Sequence, residues 1–254
     1  NMSCKLSIIM PAFNEEATIE AIVRKVMKYN DVHQLIVVND ASTDSTPEIL
    51  KSLAEEYPCI EVIHQLNNLG KTAALKIGFT TISGNVVVIQ DADLEYDPED
   101  IPSLIEPIVK GFADVVYGSR FRIRKTGRVI YFYHYLANMI LTFFSNLFTN
   151  LNMTDVETCY KAFKSPILQN MIITSKGFGI EIEMTAKISK LPRVRVFEVP
   201  ISYYGRSYEE GKKIHLSDGV WAVWYIIKYN CFCSIKKSFS LPHQEILKTF
   251  PGIN

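Results

Sequence analysis

Two carboxylates follow a strongly apolar segment near residue 90, and their spacing suits metal or phosphate chemistry. Residues 86–89 read Val-Val-Val-Ile, and Asp91 and Asp93 come soon afterwards at positions i and i+2. Such a run is typical of a buried parallel strand, and α/β sheets bind ligands at the carboxyl ends of their strands. Strand alternation points the two side chains oppositely, but a bend at Ala92 could bring both to one ligand. Paired carboxylates there suit Mg²⁺ or Mn²⁺, which bridge substrate phosphates; a plain acidic loop is the alternative.

Lys71, which follows Gly70, is a second candidate for phosphate chemistry. A glycine lets the backbone approach a ligand closely, and an ammonium group can bind a diphosphate. The alternative is a solvated surface lysine. Asn14 and Asp44 stand before predicted helices, where capping of a helix N-terminus explains at least one of them. Capping does not exclude ligand binding.

The elements that must position these residues alternate between strands and helices in the first half of the chain. Apolar segments bounded by turn residues predict strands, and capping residues with helical periodicity lie between them. The predicted strands are residues 6–10, 35–38, 60–63, 86–89 and 115–117. The predicted helices are residues 15–29, 47–57 and 100–110, and a loop followed by a helix is predicted over residues 70–82. This order predicts an α/β fold with a mostly parallel, doubly wound sheet and helices on both faces. The absence of Gly-x-Gly-x-x-Gly after the first strand disfavours a dinucleotide-binding Rossmann domain.

The second half of the chain is less regular. Its patterns predict an aromatic-rich helix at residues 129–148, a strand at 158–163, a helix at 180–189, a strand at 194–199 and a helix at 216–229. No linker and no repeat separates the two halves. We therefore expect one domain over residues 1–235, with halves at about 5–120 and 121–235, followed by a tail at 236–254.

Composition excludes some functional classes. The 254 residues carry 27 basic and 27 acidic side chains, so a net charge of zero gives no general attraction to nucleic acid. The five cysteines show no zinc-ligand spacing, which makes a reducing cytosol the simplest environment. The polar start does not resemble a signal peptide. No stretch reaches about 18 uninterrupted apolar residues, so we expect no membrane-spanning helix.

Four motifs together resemble a known family. They are Ile-Met-Pro-Ala-Phe-Asn-Glu-Glu at residues 9–16, Ile-Val-Val-Asn-Asp-Ala-Ser-Thr-Asp at 36–44, Asn-Leu-Gly-Lys-Thr-Ala-Ala at 68–74 and Gln-Asp-Ala-Asp at 90–93. In combination they resemble the family 2 glycosyltransferases, whose GT-A fold is a Rossmann-like, doubly wound α/β sheet. Gly-Ser-Arg at 118–120 and the segment 204–213 are similar to the dolichyl-phosphate mannosyltransferases and related polyprenyl-phosphate glycosyltransferases.

This resemblance implies a donor site for a nucleotide sugar. The residues that match the nucleotide-binding motifs are Pro11, Ala12, Asn14, Glu16, Asp40, Lys71, Asp91, Ala92 and Asp93. Asp91 and Asp93 resemble the family's metal-binding pair, with Asp93 the surer direct ligand of Mg²⁺ or Mn²⁺. The metal would neutralise charge that develops on the departing nucleoside diphosphate. The resemblance also implies attack from the opposite face of the sugar, with inversion at the anomeric carbon.

The same branch implies a polyprenyl or dolichyl phosphate as the acceptor. Its phosphate is ionised near neutral pH, so the reaction needs no strong general base but does need cations to hold the acceptor. The motifs assign acceptor-phosphate binding to Arg120, Arg206 and Lys213, and the expected catalytic residues are Asp91, Asp93, Arg120 and Glu157. We expect a peripheral protein on the cytoplasmic face of a membrane; a homo-oligomer and a membrane-anchoring subunit are alternatives for its assembly.

Basic and aromatic residues after residue 120 fit a membrane surface. Arg122, Arg124, Lys125 and Arg128 form a basic cluster that can meet anionic headgroups. The aromatic segment 131–144 can lie on the bilayer as an amphipathic helix. A core helix buried against the sheet is the alternative for that segment.

Departures from the branch leave other functions open. Residues 39–40 read Asn-Asp where the branch commonly has two aspartates, and Cys-Tyr-Lys at 159–161 replaces a Gly-Phe-Arg segment. The sugar, the donor nucleotide (GDP or UDP) and the acceptor therefore stay open. For a sugar or protein hydroxyl acceptor, Glu157 or Asp155 would serve as the general base. A catalytically inactive nucleotide-sugar-binding subunit is a further alternative.

Overall fold

A seven-stranded sheet forms the centre of the fold. The computed structural model describes residues 4–29, 31–122, 128–129, 131–205 and 216–248. The strands are β1 Leu6–Ala12, β2 Val32–Asn39, β3 Ile60–His64, β4 Val86–Ile89, β5 Val115–Ser119, β6 Lys161–Lys164 and β7 Val196–Pro200, in the order β3-β2-β1-β4-β6-β5-β7. Neighbouring strands are parallel except at β6, which runs antiparallel to both β4 and β5. The prediction of a mostly parallel sheet is confirmed.

The apolar run of β4 follows from its central position. Val86 and Val88 pack into the core on one face of the sheet, and Val87 and Ile89 pack into the core on the other. All four side chains are at most 3% exposed. A strand that is covered on both faces needs an apolar residue at every position, as the sequence pattern indicates.

Helices cover both faces of the sheet, which confirms the doubly wound α/β prediction. The helices of the described residues are α1 Ile19–Met27, α2 Thr46–Glu56, α3 Lys71–Thr81, α4 Ile101–Val109, α5 Phe132–Thr149, α6 Ser165–Gln169, α7 Ile180–Ile188, α8 Leu216–Cys231, α9 Ile235–Ser238 and α10 His243–Lys248. Buried residues of α1, α2 and α4 pack on one face of the sheet, and those of α3, α6 and α7 pack on the other. The short helices α6, α9 and α10 are too brief to show a helical period in the sequence.

β1 extends to Ala12, although the sequence predicts that Pro11 ends the strand. The carbonyl of Ile9 faces β4, whereas the carbonyl of Ala12 faces β2 and accepts a hydrogen bond from the N–H of Asp40. The backbone of Pro11 therefore faces β4, where pairing has already ended opposite Ile9. The missing N–H of the proline leaves no hydrogen bond of the sheet unmade, so the strand tolerates it.

α1 begins later than the sequence predicts, because Asn14 turns the chain and does not cap the helix. Asn14 has a φ of 52°, in the left-handed region, and α1 starts only at Ile19. Asp44, by contrast, accepts at Oδ1 from the N–H of Thr46, the first residue of α2, at 3.0 Å. Asp44, which lies just before the N-cap residue Ser45, thus binds a free N–H at the start of α2, whereas Asn14 caps no helix.

α5 turns its polar side chains inward and its apolar side chains outward. Asn138, Thr142, Ser145 and Thr149 are buried. The exposed large side chains of α5 are Phe132, Tyr133, Tyr135, Leu136, Met139, Ile140, Phe143, Phe144, Leu147 and Phe148. The alternative of an aromatic face buried against the sheet is therefore wrong. Within the part of the chain that the structure describes, no helix combines the length and the apolar character that crossing a membrane requires.

Candidate active site

Side chains after β1 join two loops at the carboxyl edge of the sheet. The N–H of Asn14 donates to Ser42 Oγ at 2.9 Å, and Asn14 Oδ1 accepts from the N–H of Thr43 at 2.8 Å. Glu16 Oε2 accepts from the N–H of Ser45 at 3.0 Å. These bonds fix the loop after β1 against the loop after β2, at the edge where open α/β sheets bind ligands. Nucleotide binding by Asn14 and Glu16, as by Pro11 and Ala12 at the end of β1, stays a prediction.

The carboxylate of Asp40 organises the loop that leads into α3. Oδ1 accepts from Gln65 Nε2 at 2.6 Å and from the N–H of Leu69 at 2.9 Å, and Oδ2 accepts from the N–H of Gly70 at 2.7 Å. Gly70 has a φ of 85°, a conformation that glycine adopts without a steric penalty. Asp40 therefore positions the start of α3 and with it Lys71. Its predicted contact with the base or ribose stays a prediction.

Lys71 lies where four separate parts of the chain meet. Its Nζ is 2.9 Å from Asp91 Oδ1 beyond β4, and 3.0 Å from Cys159 Sγ in the segment before β6. Glu181 Oε1, on the first turn of α7, lies 3.4 Å from the same nitrogen. The Lys71 side chain is 19% exposed, so the alternative of a solvated surface lysine is wrong.

The charges around Lys71 keep its ammonium group protonated. Burial alone would lower the pKa of Lys71, but the negative charges of Asp91 and Glu181 raise this pKa well above its usual value. Burial raises the pKa of the Cys159 thiol well above its usual value, and the charge of Asp91 adds to this effect. The site thus holds a fixed cation beside a neutral thiol, which suits the oxygens of a diphosphate.

Asp91 and Asp93 lie just beyond β4, as the sequence predicts. Ala92 between them is 3% exposed, and Asp93 Oδ1 accepts from the N–H of Glu95 at 3.1 Å in a turn that includes Leu94 at a φ of 61°. Across the described ranges, no three His, Cys, Asp or Glu side chains are grouped so as to hold a metal ion. Two carboxylates fit Mg²⁺ or Mn²⁺ when phosphates and water supply the other oxygen ligands. The residues therefore fit a metal that binds together with a diphosphate.

Arg120, at the end of β5, is held by a buried carboxylate. Its Nε and Nη2 each donate to Asp155 at 2.7 Å, and Asp155 is fully buried. The guanidinium carbon lies 5.1 Å from the ring centroid of Tyr203 and 5.6 Å from that of Phe121. Burial would lower the pKa of Arg120, but Asp155 raises this pKa well above its usual value. Arg120 is a fixed cation; its contact with an acceptor phosphate stays a prediction.

Glu157 lies in the same segment as Asp155, and burial keeps its carboxyl group neutral. Its Oε1 is buried and has no hydrogen-bond partner among the described residues. Burial raises the pKa of Glu157 to about 8, and the charge of Glu181 contributes to the increase. A general base must be ionised before it can accept a proton. The predicted role of Glu157 as a base is untested, and its protonation near pH 7 disfavours it.

The remaining basic residues are only partly described. Arg206, Lys213, Arg124 and Lys125 lie outside the described residues, so their roles stay predictions. Arg122 is half exposed, and its Nε lies 3.2 Å from Glu198 Oε2. Arg128 donates from Nη1 to the carbonyl oxygen of Gly205 at 3.2 Å.

Glu181 is a site residue that the sequence prediction missed. α7 is buried along its whole length, yet its sequence contains Glu181, Glu183 and Lys187. Ionisable residues in a buried helix need partners, and this was the signal that could have identified them. Glu183 pairs with Lys187 one turn along the helix, whereas Glu181 faces Lys71. The sequence alone could not show which of the two acids faces the site.

The family model described as Glycosyl transferase family 2 matches residues 7–172, more than half of the 254 residues. The chain belongs to glycosyl transferase family 2. The matched span contains Lys71, Asp91, Asp93, Arg120 and Glu157. The resemblance seen in the motifs is confirmed, and so is the prediction of an enzyme.

Relatives of this glycosyltransferase include proteins named for polyprenyl phosphates. It is 30% identical over 213 residues to undecaprenyl-phosphate mannosyltransferase of Micrococcus luteus, covering 80% of this chain and 85% of that protein. It is 32% identical over 216 residues to dolichol-phosphate mannosyltransferase of Pyrococcus furiosus, covering 82% and 59%. It is 26% identical over 215 residues to dodecaprenyl-phosphate galacturonate synthase of Rhizobium johnstonii, covering 83% and 62%. The matched part thus spans about three fifths of the last two relatives.

Solved structures show the same fold. Glucosyl-3-phosphoglycerate synthase of Mycobacterium tuberculosis superposes with a TM-score of 0.69 at 21% identity, covering 90% of this chain and 82% of that chain. The predicted GT-A fold of the glycosyltransferase is confirmed. The same synthase has been solved with Mn²⁺ and UDP, and with Mg²⁺ and UDP.

Proposed function

We propose that this glycosyltransferase transfers a hexose from a nucleotide sugar to a polyprenyl phosphate at a membrane surface. The observation that carries the proposal is that one short segment, residues 155–159, contacts two fixed cations. Cys159 contacts Lys71 on the donor side, and Asp155 binds Arg120 just beyond β5. The relatives named for undecaprenyl, dodecaprenyl and dolichol phosphates support the class of acceptor.

At the donor end, Lys71 binds the diphosphate and Asp91 and Asp93 bind a divalent metal. The pairing of Lys71 with Asp91 holds the ammonium at the sheet edge, where it can bind diphosphate oxygens. Mg²⁺ or Mn²⁺, when bound, supplies positive charge that stabilises the leaving nucleoside diphosphate. The metal and UDP complexes of the related synthase support this assignment. Whether the donor carries GDP or UDP is for the experiment to decide.

At the acceptor end, an ionised phosphate oxygen attacks the anomeric carbon, and the sugar inverts. This nucleophile needs no proton removed, which agrees with the carboxyl groups nearby: burial raises the pKa of Glu157 to about 8, and Asp155 is paired with Arg120. Arg120 and the half-exposed Arg122 supply positive charge for the phosphate, together with the predicted Arg206. A hydroxyl acceptor would need an ionised base, so the phosphate is favoured.

α5 connects the site to the proposed membrane surface. Its inner polar side chains bind the backbone of the segment that carries Asp155. Thr142 Oγ1 accepts from the N–H of Val156 at 3.2 Å, and Asn146 Nδ2 donates to the carbonyl oxygen of Met153 at 2.8 Å. These bonds fix the rotation of the helix, so its apolar side must face outward. α8 packs beside α5 and adds exposed Trp221 to the same part of the molecule.

This apolar face fits the interface of a bilayer. It is rich in aromatic side chains, which favour the level of lipid headgroups, and the basic residues that precede α5 in the sequence suit anionic lipids. The protein would then lie on the cytoplasmic face, where nucleotide sugars and polyprenyl phosphates meet. The catalytic residues would face the headgroup region that carries the acceptor phosphate.

A transfer assay tests the proposal. The protein is incubated with Mg²⁺ or Mn²⁺, a vesicle-borne polyprenyl phosphate, and labelled GDP-mannose or UDP-glucose. We expect label in the organic extract with one of the two donors, and loss of this label in Asp93→Asn with an unchanged Tm. Nucleotide binding without any transfer to lipid would contradict the proposal and favour a binding-only subunit. Full activity of Asp93→Asn would contradict the role of Asp93.

A further inference from the structure

Asn138, on the inner face of α5, has a buried amide group without a hydrogen-bond partner. Neither its Oδ1 nor its Nδ2 is bound by any group in the described part of the chain, and the residue is only 7% exposed. A buried amide of this kind is rare in folded proteins, because losing water without gaining a partner costs free energy. The combination of burial and missing partners points to a ligand.

Other polar side chains of the inner face of α5 are bound within the protein. Thr142 Oγ1 accepts from the N–H of Val156 at 3.2 Å. Asn146 uses both ends of its amide, which bind the N–H and the carbonyl oxygen of Met153 at 3.1 and 2.8 Å. The packing of α5 thus provides partners for a neighbouring amide of the same type, whereas Asn138 keeps its donor and its acceptor for a group from elsewhere.

Two contacts of α5 lie on either side of Asn138. Three residues before it, the ring centroid of Tyr135 lies 5.1 Å from that of Phe121. Four residues after it, Thr142 binds the backbone of Val156. Residues at positions i, i+3 and i+7 lie on one face of a helix. Asn138 therefore faces the space between Phe121 and Val156.

The ion pair of Arg120 and Asp155 occupies the same place in the fold. Arg120 precedes Phe121 in the chain and Asp155 precedes Val156, so each member of the pair adjoins a residue that α5 contacts. Nε of Arg120 donates to Asp155 Oδ2 at 2.7 Å. Asn138 thus faces the fixed cation that we assign to the acceptor phosphate.

The ion pair itself does not use the amide of Asn138. Asp155 Oδ2 accepts from the backbone N–H and from Nε of Arg120, and Oδ1 accepts from Nη2. Because Asp155 neutralises the guanidinium group, a phosphate at this position needs donors besides Arg120. A side-chain amide supplies two N–H donors and carries no charge that would need a counterion.

We propose that Asn138 binds the acceptor phosphate, with Nδ2 donating to a phosphate oxygen beside Arg120. The proposal rests on the function proposed above, because it requires a lipid that carries a phosphate. It also gives α5 two roles. The outer face of the helix contacts the lipid, and its inner face contacts the phosphate of the acceptor.

Replacing Asn138 by leucine tests this assignment, because the change removes both hydrogen-bonding groups and keeps a branched side chain. Transfer of labelled sugar from the preferred donor to vesicle-borne polyprenyl phosphate gives kcat/KM for the acceptor. We expect this kcat/KM to decrease about tenfold or more, because a hydrogen bond to a charged group is lost. The Kd of the nucleoside diphosphate, measured by calorimetry with Mg²⁺, should stay within about twofold, because neither side chain carries a charge. Tm should be unchanged or higher, because an unpartnered buried amide is removed.

Asn146→Leu is the matched control, because it makes the same change in the same helix at an amide that is bound within the protein. It should lower Tm, since the backbone groups of Met153 lose their partners. If Asn138→Leu lowers Tm as much as the control does, the amide of Asn138 has a structural role and the inference is wrong.

Asn138→Ala repeats the transfer assay with a side chain too small to clash with its neighbours. An unchanged kcat/KM for the acceptor in this variant would overturn the inference, whatever the stability of the leucine variant, and would leave the proposed function standing. If the wild type transfers no sugar to polyprenyl phosphate, the proposed function fails, and the role of Asn138 fails with it.

Discussion

At the scale of single residues, the ammonium group of Lys71 is the centre of the donor site. Asp91 and Glu181 surround it with negative charge, and Asp40 fixes the loop from which α3 begins. A diphosphate brings additional negative charge to a position where a desolvated cation is already held in place. Such preorganisation favours binding, because the protein does not have to reorganise its dipoles around the ligand.

Replacing Lys71 by methionine should therefore remove most of the affinity for nucleoside diphosphates. We expect Kd to increase about tenfold or more, since a hydrogen bond between charged groups contributes roughly 1.5–3 kcal/mol. Lys76→Met is the control, because Lys76 lies exposed on the same helix. Calorimetry with UDP and GDP measures both variants. Equal affinities of the two variants would contradict the assignment of Lys71.

Glu157 should make the stability of the protein depend on pH. Its pKa is raised from 4.5 to about 8 in the folded protein, so the folded state binds the proton more tightly than the unfolded chain. The free energy of unfolding should therefore fall as pH rises from about 4.5 to about 8, with a slope of at most about 1.4 kcal/mol per pH unit from this group. Glu157→Gln removes this contribution. The free energy of unfolding is measured with urea at pH 5.5 and at pH 7.5. As pH rises between these values, the variant should become more stable relative to the wild type. An equal change in the free energy of unfolding of both proteins would contradict the prediction.

At the scale of elements, the close packing of α3 on β1 sets the position of Lys71. A Cβ atom on Gly78 would lie 2.4 Å from Cγ2 of Ile9, so α3 can approach the sheet this closely only with glycine there. Gly78→Ala should lower the free energy of unfolding by about 1–3 kcal/mol, because the helix or Ile9 must shift. Gly219→Ala is the control: its Cβ would meet nothing within 4 Å, so the same change in α8 should be neutral or stabilising by up to about 1 kcal/mol. Equal effects in urea denaturation would refute the packing argument.

The elements also show how far the sequence could predict this structure. The alternation of apolar strands and capped helices is local information, and it was sufficient for the doubly wound sheet and for Asp91 and Asp93 beyond β4. Lys71 and Asp91 were each predicted as ligand-binding residues, but their contact with each other was not predicted and is a finding of the structure. The contact of Glu181 with Lys71 could not be predicted, because it depends on how α7 packs against α3. The sequence also could not predict that the apolar face of α5 is exposed and its polar face buried, because either face of an aromatic helix can be the buried one.

At the scale of the whole molecule, the apolar face of α5 and α8 should bind membranes. Phe143 and Leu147 are 64% and 66% exposed, so replacing both by serine should leave Tm unchanged. Because the variant can no longer bury these two side chains in lipid, its affinity for anionic vesicles, measured by sedimentation, should decrease about tenfold or more. The control replaces Leu66 and Phe112 by serine, because these residues are 97% and 59% exposed outside α5 and α8. A change in oligomeric state with unchanged vesicle binding would show that the face joins two copies of the chain.

The acceptor distinguishes a polyprenyl-phosphate glycosyltransferase from the alternatives, and one comparison of two lipids tests its chemistry directly. Vesicles carrying either polyprenyl phosphate or the unphosphorylated polyprenol of the same chain length are offered to the protein with its preferred donor and Mg²⁺. We predict that labelled sugar enters the phosphate-bearing lipid alone, because only its oxygen is ionised without a general base and only its charge matches Arg120. Transfer to polyprenol at a comparable rate, or transfer to neither lipid, would contradict the proposed acceptor.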